Sequence, residues 1–435
     1  MEILAREMLE YCDGLPLAII VLGGLLSTRH TVDEWERLHN NVKTYIRNGK
    51  IHEQNSTYSG VSWVLGLSFD ELPYHLKLCF LYMAHFPEDV EIRVKELTRI
   101  WMAEGLMLLG KHRGILAENL EDMAYECLCE LLQSMESLLM PSYNVRRLAI
   151  LLKSISIDNQ LLPLVNNIDG CLRSFICFNS ESNSYEQVMR PLFDRFHALR
   201  VLKFENLPSS TSFRIFKLPK EIGNLVHLRL LSLKDTYIER LPSSIGNLRC
   251  MQTLDLRVKT FGSSKISNMM CKLEQLRHLY LPKDFSVSSN KLWLDNLSNL
   301  LTLVNISTKY FDLNDLVKLA NLRKLKIYIA TNIGERIFKP TGTTQVQLNS
   351  LQSLVIVNIL RQRVNLTPLV SSCPQIYKLR LYGKIVKLPE YDQFSSNLIK
   401  LTLHETCIKD DPMAILEKLP ILGILIFGYK AFKGN

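Results

Sequence analysis

The sequence predicts a chain of two unlike parts, an α-helical module of winged-helix type followed by a curved α/β solenoid of short parallel strands. Three observations carry that prediction. Apolar residues recur at helical spacing, broken by Pro and Gly, through about the first 140 positions. Beyond them the template L-x-x-L-x-L returns at intervals of 22 to 29 residues, the signature of stacked repeats. Charge also reverses between the parts. Residues 1–140 hold 12 Lys and Arg against 21 Asp and Glu, and residues 141–435 hold 40 against 22, so −9 and +18 combine into the net +9.

Composition sets the outer bounds. With 435 residues, 47% of them hydrophobic and 22% charged, the chain can bury a large core and calls for more than one domain. Its longest apolar run, Leu15 to Leu26, follows Asp13 rather than a basic cluster. A membrane span needs roughly 20 residues, so neither a transmembrane anchor nor a signal peptide is expected. The ten cysteines include no C-x-x-C pair, which favours reduced thiols and points to the cytosol or nucleus. Neither Cys127 with Cys129 nor His75, Cys79 and His85 has the ligand spacing of a zinc site, so no metal is expected.

The helical elements follow in order. Glu2 to Cys12 places Ile3, Leu4, Met8 and Leu9 on one side, with Gly14 as its C-cap. Pro16 suits the first turn of a second, buried helix over Leu17 to Leu26, because proline has no N–H to leave unpaired there. Asn48 to Gly60, polar and interrupted by Gly, Asn and Ser, predicts a loop. The helical period resumes at Val61, breaks at Pro73 and Pro87, and returns over Val94 to Leu106 and Ala117 to Met135. Short helices joined by tight corners suggest a helix-turn-helix or winged-helix module.

Several strings in this region have a resemblance in common. Cys12-Asp13-Gly14-Leu15-Pro16-Leu17-Ala18-Ile19, Leu67-Ser68-Phe69-Asp70-Glu71-Leu72-Pro73, Cys79-Phe80-Leu81-Tyr82, Phe86-Pro87-Glu88-Asp89 and Trp101-Met102-Ala103-Glu104-Gly105 occur in that order. They resemble the nucleotide-binding leucine-rich-repeat disease-resistance proteins of plants. The resemblance implies that residues 1–47 correspond to the end of a helical nucleotide-binding subdomain and residues 61–136 to a winged-helix domain with an incomplete wing. It also implies that Pro16 occupies the position that packs beside adenine. The family's phosphate loop and magnesium-ligand strand would precede Met1, and no Met-His-Asp motif follows Met135. ADP or ATP is therefore expected only of an intact family member, and no cofactor is expected here. Gly105 to His112 reads G-x-x-x-x-G-K-H, but His112 cannot supply the Mg²⁺-binding hydroxyl and no strand precedes it, so a plain loop is expected.

The remaining two thirds is a repeat array. Central residues of the template are Leu202, Leu231, Leu254, Leu279, Leu303, Leu325, Leu354, Leu379, Leu401 and Leu425, with weaker copies at Leu148 and Phe175. Residues 145–435 thus read as a leucine-rich-repeat domain of about twelve repeats. One pair matches almost letter for letter. Leu218-Pro219, Ile222-Gly223-Asn224-Leu225 and Leu228 return as Leu241-Pro242, Ile245-Gly246-Asn247-Leu248 and Met251. A single repeat cannot bury its own apolar side, so neighbours stack, and twelve strands about 4.8 Å apart give a face roughly 50 Å long.

Residues between the buried leucines alternate onto the concave face. Late repeats place Lys324, Lys326 and Tyr328, then Lys378, Arg380 and Tyr382, then Lys400, Thr402 and His404 there, interrupted by Ser353, Val355 and Val357. Cations with tyrosines suit an acidic protein partner; the plainer reading is a solvated lysine-rich face. The sequence contains no nucleophile elbow or H-E-x-x-H helix, so no enzyme activity is expected. Nucleic-acid binding by the winged helix is the rival reading, opposed by Glu91, Glu96 and Glu104 balancing Arg93, Lys95 and Arg99. The family resemblance implies a defence function without catalysis. Its repeats would recognise a pathogen effector, a host protein or a complete receptor, and would clamp the acidic helical module.

Overall fold

The computed structural model describes residues 2–12, 19, 22–23, 26, 29–52, 69, 72–86, 92–106, 120–135, 147–152, 172–179, 185–206, 217–238, 240–259, 264–266, 268–289, 291–331 and 347–432. The chain divides into two compact units, Met1–Ala149 and Ile150–Asn435.

The first unit is helical. Helix α1 (Glu2–Glu10) buries Met8, and Cys12 beyond it is also buried. Helix α2 (Val32–His52) starts at a reciprocal cap in which the Glu34 amide donates to Thr31 Oγ1 at 3.3 Å and the Thr31 amide donates to Glu34 Oε2 at 3.0 Å. The Thr31 hydroxyl and amide hold the Glu34 carboxyl below its ordinary pKa. His39 Nε2 lies 2.9 Å from Glu7 Oε2 and ties α2 to α1. Of the loop expected over Asn48 to Gly60, residues 48–52 instead continue α2, and residues 53–60 lie outside the described residues. A single Asn or Gly costs only about 0.5–1 kcal/mol inside a helix, which a well-capped helix tolerates. Of the helix expected over Leu17 to Leu26, the apolar Leu22 is buried; Gly14 and Pro16 lie outside the described residues.

Helix α3 (Tyr74–Met83) follows Pro73 and buries Leu76, Cys79, Phe80 and Tyr82. Cys79 is thus a core thiol. Helix α4 (Val94–Glu104) buries Trp101 completely and ends at Gly105, whose φ of 81° lets its N–H reach the carbonyls of Trp101 and Met102. Gly105 is therefore a helix cap; Gly110, Lys111 and His112 lie outside the described residues. Helix α5 (Leu120–Met135) packs on α3 and α4 and buries Met123, Ala124, Leu128 and Leu131.

The strands are β1 (Arg147–Leu152), β2 (Ser174–Asn179), β3 (Val201–Asn206), β4 (Leu230–Ser232), β5 (Thr253–Asp255), β6 (Ser264–Ile266), β7 (His278–Tyr280), β8 (Phe285–Val287), β9 (Thr302–Ser307), β10 (Lys324–Ile329), β11 (Ser353–Asn358), β12 (Lys378–Tyr382), β13 (Lys400–His404) and β14 (Ile424–Phe427). All but β6 and β8 join one 12-stranded sheet in chain order, and those two pair separately. Adjacent strands of known register are parallel, and the template's central residue sets that register. Phe175 pairs with Leu202, Leu202 with Leu231, and so on through Leu254, Leu279, Leu303, Leu325, Leu354, Leu379, Leu401 and Leu425. From Phe175 to Leu401 these residues are buried and form one continuous core.

Opposite the sheet, short 3-10 helices such as Lys220–Asn224 and Ser243–Asn247 stack repeat on repeat. A Cβ on Gly223 would come within 2.7 Å of the Ser244 Cβ. The Ile-Gly-Asn-Leu motif therefore keeps its glycine because the next repeat occupies that space. Between β2 and β3 the chain inserts helix α6 (Tyr185–Arg195), which buries Met189, Leu192 and Phe193 and was not anticipated from the repeat period.

Candidate functional site on the concave face

Register turns the sequence alternation into rows running across the strands. Lys324, Ser353, Lys378 and Lys400 form one row; Lys326, Val355, Arg380 and Thr402 a second; Tyr328, Val357, Tyr382 and His404 a third. All eight expected contact residues lie on this face, each half-buried, while the residues between them are buried. The rows sort by chemistry. The first is cationic apart from Ser353, the second places Lys326 and Arg380 beside Val355 and Thr402, and the third is aromatic apart from Val357.

Contacts within the strip stiffen it. Lys326 Nζ lies 5.2 Å from the Tyr328 ring centroid, and the Tyr382 and His404 rings sit 5.6 Å apart. Burial pushes the Lys326 ammonium below its usual pKa; the Tyr382 phenolate would oppose that shift and Arg257 adds to it. Burial also raises the Tyr328 hydroxyl, with Lys283 lowering and Asp284 raising it.

Two neighbouring polar atoms stand out. Arg380 Nε and Thr402 Oγ1 belong to residues paired across β12 and β13, and both are sealed from solvent without a hydrogen-bond partner among the described residues. Thr402 is only 8% exposed. A buried donor left unpaired costs about 1–3 kcal/mol, so an acceptor seated between these residues would relieve both. A carboxylate has the oxygens to accept from a guanidinium and a hydroxyl at once.

The comparisons with known proteins agree with this architecture. The profile described as "Leucine-rich repeat region" matches residues 171–434, and that described as "Disease resistance protein Winged helix domain" matches residues 86–146. The chain belongs to the leucine-rich-repeat family. Among similar curated proteins of Arabidopsis thaliana are "Probable disease resistance protein RXW24L" and "Disease resistance protein RPP8", each 32% identical over 100% of this chain and 51% of the relative. The chain thus spans about half the length of the curated relatives it matches. Among solved structures, an internalin (inlF) of Listeria monocytogenes has a TM-score of 0.41 at 17% identity, covering 66% of this chain and 82% of its own. The repeat ectodomain of the Arabidopsis thaliana receptor kinase GASSHO1/SCHENGEN3 has a TM-score of 0.39 at 13% identity, covering 60% of this chain and 34% of its own.

The leucine-rich-repeat chain carries a further cluster that sequence reasoning missed. Arg257 grips the Asp255 carboxylate through Nε, at 2.9 Å to Oδ1, and through Nη2, and its guanidinium lies 4.6 Å from the Tyr280 ring centroid. Burial opposes the guanidinium's charge, but the hydrogen bond and charge of Asp255 outweigh it and raise the pKa. Asp255 and Tyr280 share the register row of Lys326, so the strip extends toward the earlier repeats. The spacing Asp255-x-Arg257, at the end of β5, was visible in the sequence. Its neighbour Tyr280, a repeat away, was not.

One sequence argument needs correction. Glu104, counted as balancing the cations of α4, is buried, whereas Arg93 and Lys95 are exposed and Arg99 is half-buried. The accessible side of α4 is therefore more cationic than its composition. Among the described residues, no cluster of three or more His, Cys, Asp or Glu could hold a metal, and no helix is long and apolar enough to cross a membrane.

Proposed function

We propose that this chain serves plant defence as a non-enzymatic recognition protein whose concave strip takes an acidic segment of a partner protein. The observation that carries the reading is the set of half-buried cations and aromatics on β10, β12 and β13, in which Arg380 and Thr402 are register partners whose Nε and Oγ1 lack a hydrogen-bond partner among the described residues. Lys378 and Lys400, aligned beside them, supply attraction at longer range, and Tyr328 and Tyr382 supply rigid apolar anchors. Effectors, host proteins and complete receptors all fall within that partner class. The disease-resistance relatives support the defence setting. In this reading residues 145–435 recognise and residues 1–47 and 61–136 are what the repeats restrain. Pro16 belongs to that restrained side, where a nucleotide contact would need the family's phosphate-binding segment.

A fluorescent Glu-rich peptide containing tyrosine tests the strip. Reversing Lys378, Arg380 and Lys400 to Glu should weaken binding by about 100-fold or more, since each cation in such a contact contributes on the order of 1 kcal/mol. Thr402→Val should weaken it by about 3- to 10-fold while leaving folding stability unchanged or slightly raised, because the buried hydroxyl disappears together with its penalty. Equal binding by all variants would remove the strip from consideration.

Lys95 and Arg99 of α4 with its N-cap Arg93, offset on the accessible side of the helix by Glu96, favour a second reading in which the winged helix contacts nucleic acid. Duplex DNA binding that falls steeply with salt would support it, and no binding at low salt would end it.

A further inference from the structure

Strand β11 is the low point of the concave strip. Its concave-face residues, Ser353, Val355 and Val357, are short, and each is flanked in register by two longer side chains of like kind. Lys324 and Lys378 stand on either side of Ser353, Lys326 and Arg380 on either side of Val355, and Tyr328 and Tyr382 on either side of Val357. Walls two strands apart are separated by about 9–10 Å at the backbone. The three floor residues are only half-buried. Strand β9 places Thr302 and Val304 between β7 and β10 in the same way, but those two are just 5% and 8% exposed. An accessible trough therefore follows β11, and its walls change from cationic to aromatic along the strand.

Contacts within and behind the walls hold them in place. Lys326 Nζ sits 5.2 Å from the Tyr328 ring centroid in one wall, and the His404 ring backs Tyr382 from β13 in the other. Burial lowers the Lys326 pKa and an ionised Tyr382 would raise it, so the two walls lie within electrostatic reach of each other. Arg380 contributes an Nε sealed from solvent with no hydrogen-bond partner among the described residues. Its register partner Thr402, 8% exposed, keeps an unpartnered Oγ1 as well. An acceptor brought to this wall from the trough would offset that cost.

Spacing selects the ligand. Floor positions recur at every second residue of β11, roughly 6.6 Å apart, and side chains on one side of any extended peptide recur at the same interval. A segment lying along β11 thus seats every second side chain between a matched pair of walls. The first two pairs suit carboxylates, each placed between two cations. The third suits one ring: aromatic rings prefer neighbours with centroids about 4.5–7 Å away, so a gap of about 9–10 Å between Tyr328 and Tyr382 holds a single ring in contact with both. We infer that the β11 trough binds an extended segment of a partner protein in which two acidic residues and one aromatic residue occupy alternate positions, the aromatic lying over Val357. This inference rests on the reading that the concave strip takes acidic segments, and it adds the place, the orientation and the spacing.

The probes are fluorescent peptides of identical composition, each with two Glu and one Tyr in a Gly/Ser background. In one design the three residues alternate with Ser; in the other they are adjacent. Both designs are made with the tyrosine first and with the tyrosine last, since either chain direction can present the same order to the trough, and the tighter binder of each design is compared. At low salt the full chain should bind the alternating peptide at least about tenfold more tightly, because adjacency turns the middle glutamate away from the trough and forfeits its contact with a cation pair. Replacing the tyrosine of the alternating peptide by Ser should weaken it about 3- to 10-fold. Val355→Lys fills the floor while adding positive charge, so it should bring the alternating-to-adjacent ratio close to one and leave the adjacent peptide bound as well or better. Retained binding of the adjacent peptide also shows that this variant is folded. Equal binding of the two designs by the native chain, indifference to the tyrosine, or a ratio that survives Val355→Lys overturns the inference and leaves the acidic-strip reading standing. Failure of both designs to bind overturns the two together.

Discussion

Buried thiols show most directly how single residues report the core. Desolvation drives Cys177 and Cys373 up to about 12, from an ordinary value near 9.0. Such thiols are protonated and shielded, hence poor nucleophiles. Cys250, in contrast, is exposed. An aromatic disulfide reagent at pH 8 should label Cys250 rapidly in the native chain and reach Cys177 and Cys373 only on unfolding. The same shift has a pH consequence. Between about 9 and 12 the folded state retains protons that the unfolded state releases, so stability present below pH 9 should fall as pH rises through that window. Urea titrations at pH 8, 9 and 10 check the sign, and Cys177→Ala should flatten the dependence. That the cysteines form no C-x-x-C pair was legible in the sequence. Which of them are sealed was not, because burial of Cys177 depends on the strands packed around β2.

Elements repeat that contrast between pattern and context. The leucine frame could be read directly, since a period of 22 to 29 residues with fixed internal spacing leaves one way to bury it. Helix α6 could not, because it interrupts the period between the weak frame of Phe175 and that of Leu202. Nor could the register irregularity at β9, where Asn305 adopts a φ of 68° and its Nδ2 donates to the Leu281 carbonyl at 2.9 Å. An amide side chain that replaces a backbone partner leaves no periodic trace. The strip followed the same rule. Its eight expected residues came from strand alternation, while Arg257, Asp255 and Tyr280 needed the register between repeats. Two substitutions measure what the stacking contributes. Leu254→Ala, in mid-sheet, should cost about 2–5 kcal/mol in denaturant unfolding, whereas Leu425→Ala, at a half-buried position, should cost less than about 1 kcal/mol. Gly383→Ala should also destabilise, by about 1–3 kcal/mol, since φ there is 86° and the new Cβ would meet the Asn358 carbonyl oxygen at 2.2 Å.

Across the whole molecule the governing quantity is the charge division, −9 over residues 1–140 against +18 over residues 141–435. Fold does not depend chiefly on it, because the residues of the leucine frame that set the register are uncharged and buried from Phe175 to Leu401. A net separation of that size instead steers association between the parts or toward partners of opposite sign. Residues 1–140 and 141–435, expressed separately and each confirmed folded by circular dichroism, should therefore associate at low ionic strength. Raising salt from about 0.05 to 0.5 M shortens the screening length from roughly 14 Å to 4 Å and should weaken that association by about tenfold or more. The Lys378, Arg380 and Lys400 reversals then decide which surface is used. If they abolish association of the two parts, the strip that takes acidic partners is the one that restrains the helical module, and partner binding must compete with restraint. If association survives them and still weakens with salt, the attraction lies elsewhere on the repeats and the two activities are separable. Failure to associate at any salt concentration would eliminate the clamp and leave recognition as the sole role of the concave face.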